Sequence, residues 1–116
     1  MHAYEIPNLR FSMPAGGEVL MHRFVAVSDE KAVTATASTA VVGVSMNEVT
    51  ATELTANERI VEIADGIVMV EAAGAIAAGA KVYSNATGQA TGTGTEVVGI
   101  AMTAAAGAGS LLAVKL

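Results

Sequence analysis

The chain has 116 residues, 53% apolar but only 3% aromatic, with two His, no Cys and a net charge of −5. That length and composition suit one domain with a core of Val, Ile, Leu, Met and Ala. The acidic balance argues against nucleic acid and anionic membrane surfaces, which need clustered Lys and Arg, and the missing Cys excludes disulfides and thiolate zinc sites.

Residues 1–17 read as an extended N-terminal arm ending in the turn Pro14-Ala15-Gly16-Gly17, because both prolines fall here and oppose regular structure. Tyr4, Ile6, Pro7, Leu9 and Phe11 are its candidate partner-binding residues. Such an arm either packs back on its own domain or reaches a partner, through apolar anchors or by adding a strand. Residues 18–27 are expected as a strand, with Leu20, Phe24 and His22 on one face. Ser28-Asp29-Glu30-Lys31 is a turn, and residues 32–36 and 41–46 are further strands. Thr50 with Glu53, and Thr55 with Glu58, have the spacing of helix-capping boxes, so a single helical turn is expected near residues 50–57. Residues 58–63 and 67–71 read as a hairpin closed by Ala64-Asp65-Gly66, on the strength of the Asp-Gly pair. Residues 72–80 are a short helix or a loop. Residues 81–84, 90–91, 96–103 and 110–115 are the last strands, with Asn85-Ala86-Thr87-Gly88 as a turn.

The chain repeats itself. Val41-Val42-Gly43-Val44-Ser45-Met46 returns as Val97-Val98-Gly99-Ile100-Ala101-Met102, 56 residues later. At the same offset Ser28 meets Ser84, Asp29 meets Asn85 and Leu20 meets Ile76. The reading is therefore mainly β: a small β-barrel or β-sandwich built from two pseudo-repeats, residues 18–63 and 74–116 of one domain spanning 18–116. The arm has no counterpart at that offset. Deleting residues 1–14 is accordingly expected to leave the domain folded.

No chemistry is written into this scaffold. His2 and His22 lack ligand-spaced partners, so no metal site is expected. No nucleophile elbow is present, and Glu58 and Glu62 read as a solvated strand face. Gly74-Ala75-Ile76-Ala77-Ala78-Gly79-Ala80-Lys81 begins like a phosphate loop. Ala80 separates the second Gly from Lys81, and Val82 stands where Ser or Thr would hold the metal ion. No catalytic residue and no cofactor is assigned.

From Gly74 onward the order of motifs resembles the small capsid cement (decoration) proteins of tailed phages. It is carried by Ala75-Ile76-Ala77-Ala78-Gly79-Ala80-Lys81-Val82-Tyr83, then Val98-Gly99-Ile100-Ala101, Ala105-Ala106-Gly107 and Leu112-Ala113-Val114-Lys115-Leu116. The turn Ala15-Gly16-Gly17 and the stretch Asp65-Gly66-Ile67-Val68 also match. The resemblance implies a β domain on the outside of an expanded phage head, as a homotrimer that clamps neighbouring copies of the major capsid protein. The alternative is the base of a head fibre or another virion or tail component. Neither role involves nucleic acid or a membrane.

Overall fold

The computed structural model describes residues 6–116. Among the described residues the chain is mainly β, with one curled antiparallel sheet and one short helix. Its strands are β1 (Ile6–Pro14), β2 (Phe24–Ser28), β3 (Lys31–Thr34), β4 (Gly43–Ser45), β5 (Ile60–Glu71), β6 (Lys81–Ser84), β7 (Ala90–Thr91), β8 (Gly99–Ala101) and β9 (Leu111–Lys115). Helix α1 (Ala51–Ala56) lies between β4 and β5. The Thr50–Glu53 capping box is formed: each side chain accepts the other's backbone N–H, at 3.2 Å and 3.0 Å. The second expected box does not form, since Thr55 instead donates its hydroxyl to the Thr52 carbonyl.

Strand order is β3-β2-β4-β5-β9-β8-β6-β7, with β1 paired to β5. Residues 6–14, read from the sequence as an arm, are thus a strand of the sheet, in register with β5 from Ile6↔Ile67 to Pro14↔Ile60. β5 is one continuous strand, so the expected hairpin at residues 58–71 is absent. A two-residue hairpin turn needs its two flanks to pair with each other. Here residues 60–67 pair with β1 and residues 67–71 pair with β9. Gly66, at φ 118°, and Asp65, whose Oδ1 accepts the Gly66 N–H, instead face an irregularity in β1 between Pro7 and Leu9.

Burial along β5 changes parity midway. Val61 and Ile63 are buried and then Ala64, Val68 and Val70 are, so the core face switches from odd to even residues at Ile63–Ala64. The cause is two cores on opposite sides of one strand. Val61 and Ile63 pack with Ala15, Val19, Val25, Ala32 and Val49. Val68 and Val70 pack with Ala72, Ile76, Val82, Ala90, Ala101, Ala105, Leu112 and Val114.

The same pairing pattern is built around each core. Val25↔Gly43 corresponds to Val82↔Gly99, Ser45↔Ile63 to Ala101↔Val114, and Phe11↔Ile63 to Val68↔Val114. The parallel bridge Ala15↔Ala32 corresponds to Ala72↔Ala90, and Val19↔Val49 to Ile76↔Ala105. β1 therefore has a counterpart after all: the second half of β5, 57 residues on. The 56-residue offset holds at Gly43 and Gly99. It is 57 at Val25 and Val82, and 51 from Ile63 to Val114, because α1 occupies the first half only. The counterpart of Ile76 in the first half is Val19 rather than Leu20, since Val19 bridges Val49 as Ile76 bridges Ala105.

Two other local expectations change. The strand expected from residue 18 begins at Phe24, because His22 adopts a left-handed φ of 62° and turns the chain, as Gly79 does at 86° in the second half. Residues 72–80 form no helix, and carry the bridges at Ala72 and Ile76.

Candidate partner interface

The expected arm residues fall in different places. Tyr4 lies outside the described residues. Ile6 and Pro7 are placed by backbone pairing with Ile67 and Gly66. Leu9 is 56% exposed, while Phe11 is half-buried against the first core beside Met13. Phe11 thus contributes to folding, while Leu9 faces solvent.

Among the described residues, β1 is an edge strand beyond its pairing with β5. Along a strand, successive residues direct their amides to alternate edges. Gly66 accepts from Leu116 and Glu62 from Met46, so even residues of β5 face β9 and β4. Odd residues of β5 then face β1, which turns the amides of Arg10 and Ser12 to the outer edge. The equivalent edge in the second half is covered. Glu71 donates its N–H to the His22 carbonyl at 2.9 Å, and His22 Nδ1 lies 3.3 Å from the Met69 carbonyl. Pro14 takes the place of Glu71 and has no N–H to leave unpaired.

The joint between the halves is polar at its rim and apolar inside. The Arg23 guanidinium donates to Glu71 Oε2 at 2.6 Å and to the Thr87 carbonyl at 3.0 Å. Gln89 Nε2 donates to the same Glu71 oxygen at 2.8 Å. These bonds, Gln89's above all and then Arg23's, hold the Glu71 carboxyl below its ordinary value despite partial burial. Beneath them Phe24, Val44 and Ala64, on the outer face of the first half, join the core of the second. A shallow groove of ≈ 280 Å³ runs along the rim, lined by Glu18, Leu20, Arg23, Thr34, Ala86 and Thr87. Its charged and hydroxyl side chains include Arg23 bound to Glu71, Thr34 donating to the Glu18 carbonyl and Thr87 donating to Asn85. Among the described residues, neither the Thr34 nor the Thr87 hydroxyl donates to a carboxylate or an imidazole there.

Several large apolar side chains face solvent, among them Leu9, Val97, Ile100 and Met102. Exposure of this kind, with structural groups committed to one another, suits a protein that works by contact.

The sequence profile of the phage cement protein family matches residues 5–116. The chain belongs to that family, whose members are virion structural proteins. The fold is also that of the head fibre gp8.5 N base of bacteriophage phi29, in its crystal structure. That likeness has a TM-score of 0.72 at 20% identity, covering 93% of this chain and 92% of the other. No curated protein sequence matches the chain.

Proposed function

We propose that this protein binds the outer surface of the expanded phage head as a homotrimer, and cements neighbouring copies of the major capsid protein without catalysing a reaction. The observation that carries this reading is the family match over residues 5–116. The physical features agree with it. A contact protein used in many copies gains from each small apolar patch by multiplicity. On this reading the N-terminal segment, with Tyr4, Ile6, Pro7, Leu9 and Phe11, lies against the capsid, and Leu9 supplies the exposed anchor.

The likeness to a head-fibre base supports a second reading, in which the same domain is the attachment base of a longer fibre. Co-sedimentation with undecorated, expanded heads, counting copies per head, separates the two. Saturation at a copy number matching the three-fold positions supports cementing. Saturation at a small subset of those positions favours the fibre base, and absence of binding overturns both.

A further inference from the structure

The joint between the halves is heterologous. Its first partner is the outer face of the first half: Phe24, Val44 and Ala64 are buried, with Val41 and Met46 packed against them. Its second partner includes the loop Ala86-Thr87-Gly88, whose Gly88 carbonyl accepts the Phe24 N–H at 2.8 Å. A two-fold joint would cover the equivalents of both partners at once. It does not. The equivalents of the first face, Lys81, Val97, Ile100, Met102 and Lys115, are exposed, with Val97 at 50%, Ile100 at 39% and Met102 at 46%. The equivalent of the loop, Asp29-Glu30, is exposed as well. Phe11 and Met13 are only half-buried where their counterparts Val68 and Val70 are fully buried. Among the described residues, each molecule therefore presents two open surfaces of the same kinds that mate inside it.

These two surfaces differ from the internal joint in matching ways. Where the covered face has Phe24 and Ala64, the open face has Lys81 and Lys115, flanking Ile100 across the strands. Where the seated loop has Thr87 and Gly88, the open loop has Asp29 and Glu30. Size is exchanged too. A Cβ on Gly88 would fall 2.8 Å from the Thr34 methyl. Glu30 holds the position of Gly88, at φ 63° against 76°. Gly92, where an added Cβ would meet nothing within 4 Å, holds the position of Thr34.

We infer that copies of this chain join head to tail, the Asp29–Glu30 loop of one seating on the Lys81–Ile100–Lys115 face of the next in place of the internal loop. A repeated heterologous joint closes into a ring when its rotation permits. This is the contact that would hold the proposed homotrimer together, and it rests on that part of the reading. The test uses the protein alone, so it is independent of head binding.

Sedimentation equilibrium at about 50 mM salt, where opposite charges are weakly screened, is run on the native chain, E30K, K81E and the double variant. The native chain is expected to associate. Each single reversal sets like charges together and is expected to weaken association by at least about tenfold, and the double variant to regain it. Circular dichroism on the same samples checks that each is folded. A native oligomer unaffected by both single reversals overturns the joint while leaving the trimer standing, as does a folded double variant that stays dissociated. A native chain that is monomeric throughout overturns both.

Discussion

Glu71 and Pro14 occupy the same position in the two halves of the fold, and Glu71 alone of the two carries an N–H to the outer edge there. Glu71 donates its amide to the His22 carbonyl and its carboxylate accepts from Arg23 and Gln89. Pro14, at the outer edge of β1, offers no amide. Glu71→Ala should leave the Arg23 guanidinium, only 14% exposed, without its counter-ion. Loss of one partner of such a pair costs about 1–3 kcal/mol. Urea unfolding of the variant should show this as a lower midpoint.

The same carboxylate makes stability depend on pH. Its folded value is lowered from 4.5, so its contribution is complete above that pH and is lost as the pH falls through the lower, folded value. The native chain should lose melting temperature more steeply than Glu71→Gln between about pH 5 and pH 3. Glu53, held low chiefly by hydrogen bonds from the Thr50 backbone and hydroxyl, titrates in both proteins and cancels in the comparison. Parallel melting curves across that range would contradict the role given to Glu71.

Gly43 and Gly99 are equivalent, and both lie where a side chain cannot. A Cβ on Gly43 would fall 2.6 Å from the Ala64 carbonyl oxygen and equally close to Ile63 Cγ2. A Cβ on Gly99 would fall on the Lys115 carbonyl oxygen and 2.8 Å from Val114 Cγ1. Either Gly→Val change should cost more than the about 1–3 kcal/mol of ordinary overpacking, since backbone must shift. Gly74→Ala, with nothing within 4 Å, is the control and should unfold near the native midpoint.

Truncation should divide sharply within the N-terminal segment. Removing residues 1–5 leaves the described β1 pairing in place. Removing residues 1–14 takes away the strand covering Val61 and Ile63 and strips Phe11 and Met13 from the first core. The expectation that this deletion leaves a folded domain is therefore reversed. Loss of the cooperative thermal transition in the longer truncation alone is the expected result.

Ser45 is buried where Ala101 stands in the second half. Its hydroxyl accepts the Arg23 N–H at 3.1 Å and donates to the Leu20 carbonyl at 2.5 Å. Ser45→Ala should cost about 1–3 kcal/mol, because the Arg23 amide keeps no acceptor. Denaturant titration beside Ala101→Ser would show whether the hydroxyl is specific to the first half.

The repeat was legible only where shape restricts identity. Gly43 and Gly99 are forced by close backbone approach, so the residues around them stayed alike. β1 and the second half of β5 share only alternation, Phe11 and Met13 standing for Val68 and Val70, and alternation leaves no sequence match. The helix inserted before β5 also moves the offset to 51 in the last strand, beyond any comparison at a fixed spacing. Asp65-Gly66 misled for a tertiary reason: its flanks had better partners than each other. The open joint face shares no residue type with the covered one at two of its three strands: Lys81 and Lys115 answer to Phe24 and Ala64 through strand pairing alone.

A single strand walled by both cores has a mechanical meaning. The two halves have no linker between them that could stretch or swivel. Tension drawing them apart is taken along β5, against hydrogen bonds to β1, β4 and β9 that lie across the pull and must yield in shear together. A shell under outward pressure would strain such a molecule as one stiff tie.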